Sequence, residues 1–104
     1  MDDLELLRAV RARLARPEAW TKGYLAINCD GETVYYRGEG AVAWCLIGAA
    51  YADGRDIDMP DEVLASGLGF KSHIRMIEWN DDFERTHAEV LARLDAAIQA
   101  HTEE

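Results

Sequence analysis

Residues 41–52 read AVAWCLIGAAYA, an unbroken apolar run in the middle of a chain in which 30% of the residues are charged. A helix that is apolar around its whole circumference is enclosed by protein on most sides. The run is too short to span a bilayer, which needs about 20 residues. It therefore predicts a buried central helix. Gly48 lies inside that helix at a cost of about 1 kcal/mol relative to alanine, so we expect another element to approach it closely.

An N-terminal helix is predicted over residues 4–15. Its apolar positions recur at spacings of three and four, as one helix face requires: Leu4, Leu7, Val10 and Leu14. Asp2 can cap this helix, with Glu5 three residues later completing a capping box. Pro17 ends the pattern, because the residue before a proline is pushed out of the helical region. Trp20 follows in a connector, and we expect it to pack back on the core.

Residues 24–37 change to a period of two, which predicts a β-hairpin. Asp-Gly at residues 30–31 suits a type I′ turn, since both central residues of that turn need a positive φ. Pairing outward from the turn places Ile27 opposite Val34. A lone hairpin is only marginally stable, so we expect it to lean on helices or to gain another strand.

Two or three further helices follow the central one. Asp61 can cap a short helix, and Thr86 with Glu89 forms a second capping box at the start of a long C-terminal helix. Residues 72–79 have helical spacing but are also compatible with a short strand; we favour the helix. Residues 1–104 are thus predicted to form a single helix-rich α+β domain, with N-terminal helix, two-stranded β-hairpin, buried central helix, short helix and long C-terminal helix in that order.

The charge balance excludes some classes of partner. Eleven Lys and Arg against twenty Asp and Glu give a net charge of −9, which repels nucleic acid and anionic membranes. The acidic opening at residues 1–3 does not resemble a signal peptide, so we expect a cytoplasmic protein. Cys29 and Cys45 form no Cys-x-x-Cys pair, and we expect both to be reduced thiols packed inside the fold.

Several short motifs resemble those of an uncharacterised family of small bacterial and phage-encoded proteins, a domain of unknown function. They are Trp20 before Gly23, the stretch Trp44-Cys45-Leu46-Ile47-Gly48-Ala49, the corner Trp79-Asn80-Asp81, and Thr86 with the run EVLARLDAAI at residues 89–98. The resemblance spans most of the chain. It implies a shared fold, and it assigns neither an activity nor a catalytic residue.

One group of side chains has the chemistry of a small acid/base or metal site: His73, Glu78, Asp81 and His87. Imidazoles and carboxylates bind borderline cations and move protons near neutral pH. Their spacing matches no known motif, and Asn80 with Asp81 has a simpler explanation as turn and capping residues. Cys45 as a nucleophile would need exposure and a base, and its apolar neighbours argue against both. We therefore assign no catalytic residue, no metal ligand and no cofactor.

The residue types found at binding hot spots point to a different surface. Our candidate ligand or partner surface comprises Trp20, Tyr24, Tyr35 and Arg37 around the hairpin, with Trp79, Asn80 and Asp81 at the corner. The simpler alternative is that the aromatic rings only cover the last helix. We predict a non-catalytic binding or regulatory module for a protein partner or a small molecule, which can also form a homo-oligomer. The alternatives are a small enzyme using the His73 group, and an acidic decoy that mimics nucleic acid.

Overall fold

The computed structural model describes residues 1–103, and over that range the predicted helix-rich α+β fold and the order of its elements are confirmed. The helices are α1 (Asp3–Arg13), α2 (Leu46–Asp53), α3 (Pro60–Gly67), α4 (His73–Asp81) and α5 (His87–Thr102), with a short 3₁₀ turn at Pro17–Ala19. Strands β1 (Ala26–Ile27) and β2 (Ala43–Trp44) form one antiparallel sheet. None of the helices in this range has the length and apolar character needed to cross a membrane.

Both predicted capping boxes are present. At α1, Asp2 Oδ1 accepts from the backbone N–H of Glu5 at 2.8 Å, and the Glu5 side chain accepts in return from the N–H of Asp2. At α5, Thr86 and Glu89 exchange the same pair of bonds. Each cap satisfies N–H groups that have no partner inside the helix, which stabilises a helix by about 1 kcal/mol. The local sequence therefore sets where these two helices begin.

The start of α3 differs from the prediction. Met59 rather than Asp61 is the N-cap residue, with a left-handed φ of 53°, and Pro60 occupies the first helical position. Proline suits that position because it has no N–H to satisfy and its φ is already helical. Asp61 is consequently the second residue of the helix, and it is buried. Asp61, which the sequence pattern indicated as the cap, therefore does not cap the helix, and its carboxylate can make other contacts.

The core lies where α1 packs on α2, α3 and α5. Its largest fully buried apolar side chains come from all five helices and from the C-cap of α1: Leu6, Leu7, Leu14, Leu46, Leu64, Met76 and Leu94. Six of the eight residues of α2 are buried, so the prediction of an enclosed central helix is confirmed for residues 46–53. Trp20 packs against this core, also as predicted.

The first part of the apolar run is a strand and not helix. Ala43 and Trp44 pair with Ile27 and Ala26, and α2 begins only after Cys45. The indole N–H of Trp44 donates to a backbone carbonyl eight residues earlier at 2.8 Å, which fixes this side chain beside the sheet. Continuous apolar runs are compatible with buried strands and with buried helices, so periodicity alone did not separate the two.

The turn after β1 also departs from the predicted hairpin. The side-chain oxygen of Asn28 accepts from the backbone N–H groups two and four residues later, at 3.0 and 2.9 Å, and so makes an Asx-type turn. Ile27 consequently bridges Thr33 and not Val34. The predicted register was therefore wrong by one residue, and the principal partner of β1 is β2.

Gly48 marks a close approach, as its position in the central helix predicted. A Cβ atom built on Gly48 would lie 1.7 Å from the carbonyl oxygen of Leu25. The backbone of α2 thus rests directly on the chain that leads into β1. No other residue type fits between them, which explains a glycine inside a helix.

The two cysteines have different environments. Cys45 is buried, as predicted, whereas Cys29 lies exposed in the turn after β1. The prediction of a packed thiol is therefore wrong for Cys29. It assumed a regular strand at a position where Asn28 bends the chain outward into the turn.

Candidate functional site

A cavity of about 400 Å³ opens between the loop at residues 23–25 and helices α2, α3 and α4; we call it the α2–α4 cavity. Its volume lies in the lower part of the range found for small-molecule sites, about 300–1,000 Å³. Much of its wall is apolar, formed by Tyr24, Leu25, Leu46, Ile47 and Ile77. Tyr24 and Leu25 are among the large apolar side chains that remain exposed. Part of the apolar wall is thus in contact with solvent.

A buried carboxylate lies in the wall formed by α3. Asp61 is only 7% exposed, and its Oδ2 accepts from the hydroxyl of Tyr51 at 2.9 Å. Its Oδ1 accepts from the backbone N–H of Glu62 at 2.9 Å, within the positive first turn of the helix. Burial raises the pKa of the Tyr51 hydroxyl, and the hydrogen bond to Asp61 raises it further. Tyr51 therefore remains a neutral donor, and Asp61 is the acceptor.

An imidazole–carboxylate pair stands beside Asp61. Ser72 caps α4 and so places His73 as the first residue of that helix, where its ring lines the cavity. His73 Nδ1 is hydrogen-bonded to Glu62 Oε1. This hydrogen bond raises the pKa of His73 above its usual value, against the opposing effect of desolvation. The pair places the His73 imidazole, held by Glu62, in the wall of the cavity.

The amide of Asn80 joins three separate segments behind the cavity. Its Oδ1 accepts from the indole Nε1 of Trp20 at 2.8 Å and from the N–H of Leu46, the first residue of α2, at 3.2 Å. Its Nδ2 donates to the carbonyl of Thr21 at 3.3 Å and to Asp81 Oδ1 at 2.8 Å. Asn80 is 1% exposed, so every one of these bonds replaces a contact with water. The interpretation of Asn80 as a turn residue is wrong, because it lies inside α4.

Asp81 extends this network to the rim of the cavity. Its Oδ1 also accepts from the N–H of Gly23 at 3.0 Å, and Gly23 has a φ of 82°, which glycine adopts without strain. Asp81 is exposed and lines the cavity. It is thus a structural tether for the loop, and it adds a second carboxylate near the opening. Asp81 closes α4 and is no turn residue either.

Cys45 also lines the α2–α4 cavity, but its sulfur has a structural role. Cys45 is the N-cap of α2, and its Sγ accepts from the N–H of Gly48 at 3.3 Å. Burial raises the pKa of the Cys45 thiol, and the charge of Asp81 raises it further. A thiol that stays protonated at neutral pH is a poor nucleophile.

The predicted site residues are distributed over three places. Tyr24, Asn80 and Asp81 line the cavity, with Trp20 hydrogen-bonded behind it. Trp79 faces another surface, where the guanidinium of Arg85 lies 4.0 Å from its ring centre. Tyr35 and Arg37 do not line the cavity. They belong to a cluster of tyrosines in which Arg37 donates to the Tyr51 carbonyl and the rings of Tyr35, Tyr36 and Tyr51 follow one another at 4.6 and 5.4 Å.

The four residues of the predicted acid/base or metal group do not meet. His73 and Asp81 both line the cavity, whereas Glu78 pairs with Arg75 on the surface at 3.1 Å. The ring Nε2 of His87 donates to the backbone carbonyl of Leu14 at 2.6 Å. In the part of the chain from residue 1 to 103, no three His, Cys, Asp or Glu side chains are placed to hold a metal ion.

Sequence reasoning missed the side chains at the polar end of the cavity. The sequence placed Tyr51 in the apolar run and indicated Asp61 as a helix cap, and it gave Glu62 no role. Their meeting depends on how α2, α3 and α4 pack, which no local pattern specifies. The only signal was Pro60, whose preference for the first helical position moves Asp61 from the cap into the helix.

These features define a helix-rich α+β fold with a largely apolar cavity that is also lined by the carboxylates of Asp61 and Asp81. Residues 1–100 match the family described as "Family of unknown function (DUF6197)", and the chain belongs to that family. No curated protein and no solved structure matches it. The resemblance to a domain of unknown function is thereby confirmed. The bacterial and phage origin of that family stays a prediction.

Proposed function

We propose that this protein is a non-catalytic binding module that takes a small molecule in the α2–α4 cavity. The observation that carries the proposal is the cavity itself, about 400 Å³ with apolar walls and with Tyr51 and Asp61 converging at one end. Small-molecule sites have this composition, because apolar area supplies affinity while a few fixed polar groups set orientation.

The surroundings of the cavity support a site that exists before the ligand arrives. Gly48 brings the backbone of α2 against Leu25 on one side. Asn80 ties α4 to the start of α2 and to the loop before β1. A preformed site loses less conformational entropy when it binds, so even a small ligand retains a useful affinity.

The reactive groups in the cavity are engaged in ways that favour binding over chemistry. The Cys45 sulfur caps a helix, and its raised pKa keeps the thiol protonated. The Asp61 carboxylate accepts hydrogen bonds from Tyr51 and from the backbone at 2.9 Å each. These contacts hold side chains in fixed positions, as a recognition site requires.

A fragment screen by ¹H–¹⁵N NMR on the full chain tests this proposal. We expect compounds with a single ring to shift the amide signals of residues around the cavity. Ile77→Trp is designed to fill the cavity, because Ile77 lines it and is 37% exposed. Ile74→Trp is the matched control, since Ile74 is 58% exposed on the same helix and does not line the cavity.

We expect Ile77→Trp to abolish the shifts caused by bound fragments and Ile74→Trp to leave them unchanged. Fragments that bind equally well to both variants, or that shift signals only on other surfaces, would show that the cavity is not the ligand site. Native mass spectrometry of freshly purified protein adds an independent measurement. A small molecule retained by the unaltered protein and lost from Ile77→Trp would support the proposal.

A second candidate, a small acid/base enzyme, is favoured by one observation. His73 is paired with Glu62 through Nδ1, which leaves Nε2 as the ring nitrogen available for proton transfer. A carboxylate that orients an imidazole is a recurring feature of general bases. Incubation of the protein with any retained ligand distinguishes the two functions. Chemical conversion of that ligand, lost in His73→Gln, would establish the enzyme; an unchanged ligand would support the binding module.

A further inference from the structure

We infer that the ligand of the α2–α4 cavity is a small organic cation, a protonated amine on a compact apolar body. The inference rests on the proposed function and adds to it the charge class of the ligand. It follows from which charges line the cavity, from the partners of Asp61, and from the aromatic rings nearby.

The charges around the cavity favour a cation. Two carboxylates line it, those of Asp61 and Asp81, and among residues 1–103 no Lys or Arg side chain does so. The single basic group in the wall, His73, is already bound by the carboxylate of Glu62. An anionic ligand would face both aspartates without a free cation to pair with. Like charges in such a partly dehydrated site oppose binding strongly.

Asp61 is a buried carboxylate that has no hydrogen-bonded cation among the residues that the structure describes. It is 7% exposed, and its hydrogen-bond donors are neutral groups, the Tyr51 hydroxyl and the Glu62 N–H. In the region that the structure describes, Asp61 makes no salt bridge, although six other ion pairs are present. Buried carboxylates are rare unless a cation pairs with them. Each oxygen uses one acceptor site and retains another for an ammonium N–H.

Aromatic rings complete the features expected of a cation site. Tyr24, which is 54% exposed, and Tyr51, which is hydrogen-bonded to Asp61, both line the cavity. The Tyr51 ring stacks on Tyr36 with centroids 5.4 Å apart, which holds its hydroxyl in place. The face of an aromatic ring attracts a nearby ammonium ion, and this attraction grows as water is excluded. The remaining apolar wall at Ile47 and Ile77 would take the body of the ligand.

Three probes of nearly equal size separate charge from shape: benzylamine, benzyl alcohol and benzoate. Dissociation constants are measured by NMR titration at neutral pH for the unaltered chain, for Asp61→Asn and for Asp58→Asn. Asp61→Asn keeps the shape of the side chain and an acceptor oxygen while removing its charge. Asp58→Asn is the matched control, because it removes the same charge from an exposed loop position outside the cavity.

We expect benzylamine to bind about tenfold more tightly than benzyl alcohol, the difference between a charge-assisted and a neutral hydrogen bond. We expect benzoate to bind most weakly. In Asp61→Asn, benzylamine and benzyl alcohol should bind with about equal affinity, because only the charge-assisted part of the hydrogen bond is lost. In Asp58→Asn, the preference for benzylamine should be preserved.

The other possible results of this titration contradict different parts of the proposal. Equal binding of benzylamine and benzyl alcohol in the unaltered cavity would leave the proposed function standing and overturn the charge class. A preference for the amine that survives Asp61→Asn and disappears in Asp81→Asn would overturn the assignment to Asp61. Absence of cavity shifts with all three probes would overturn the proposed function, and this inference with it.

Discussion

Replacement of Asn80 by alanine should remove a large share of the stability of this fold. The substitution deletes one amide, which makes four hydrogen bonds and joins α4 to the Trp20–Thr21 segment and to the start of α2. The N–H of Leu46 and the indole N–H of Trp20 both lose their acceptor. Leu46 is 1% exposed, so bulk water solvates its N–H poorly in the intact fold.

The magnitude follows from these unsatisfied groups. A buried donor left without an acceptor costs about 1–3 kcal/mol. With Leu46 fully buried, Trp20 half-buried and the Thr21 carbonyl also released, we expect Asn80→Ala to lower the free energy of unfolding by about 3–5 kcal/mol. The better helix propensity of alanine returns about 0.7 kcal/mol at most. Domains of this size are stable by about 5–15 kcal/mol, so the melting temperature should fall by about 15 °C or more.

Urea denaturation followed by tryptophan fluorescence and circular dichroism measures the loss. Gln99→Ala is the matched control, since it removes an amide whose hydrogen bond to Glu103 is exposed, and it should change stability by less than about 0.5 kcal/mol. Trp20→Phe should cost less than Asn80→Ala, because the bond from Leu46 to Asn80 remains. A combined Trp20→Phe and Asn80→Ala variant should lose less than the sum of the two, since both remove the same bond.

Two results would refute this reasoning. A loss below about 1 kcal/mol for Asn80→Ala would mean that the amide is not buried among the partners described here. Strict additivity of Trp20→Phe and Asn80→Ala would mean that the indole and the amide do not interact.

Three further predictions concern the cavity and its surroundings. Gly48→Ala should destabilise the fold by about 2 kcal/mol or more in thermal melts, because its Cβ would lie 1.7 Å from a backbone oxygen; Gly67→Ala, with its nearest contacts at 3.6 Å, should gain up to about 1 kcal/mol. An NMR titration should place the pKa of His73 above 6.5. The stability linked to protonation of His73 should be fully present below pH 6.5 and should be lost as the pH rises through the pKa of His73 in the folded protein. His73→Gln should lack this pH-dependent contribution. Ellman's reagent should modify Cys29 rapidly in the folded protein and Cys45 only on unfolding, and Cys29→Ser should remove the fast phase; a fast phase that remains would contradict the burial of Cys45.

The helices were largely predictable because their signals are local. Asp2 and Thr86 each begin a helix with a glutamate three residues later, and both caps form as the sequence indicates. The start of α2 was not predictable in this way. Residues 41–44 are as apolar as the helix that follows, and only pairing with β1 makes part of them a strand. That pairing is a long-range contact, which no window of neighbouring residues contains.

The site was harder to predict than the fold, because its parts meet only through packing. In the sequence, Asn80 beside two aspartates resembles a turn residue. Its amide oxygen, however, accepts hydrogen bonds from residues 34 and 60 positions away in the chain. Asp61 looks like a helix cap until Pro60 shifts the helix start. His73 was a candidate from its chemistry alone, yet its actual partner, Glu62, lies on a different helix. The residue types indicated some of the side chains that line the cavity. Which of these side chains contact one another follows only from the tertiary structure.

The contact between Gly48 and the Leu25 carbonyl also limits how this pocket can adapt. Two main chains touch there, so the backbones that carry Leu25 and Ile47 have no side chain between them that could yield to a larger guest. Widening the space between these backbones would have to move a whole helix, whereas the side chain of Ile77 is 37% exposed and can change its rotamer. Engineering a new preference among guests should therefore begin with Ile77 on α4.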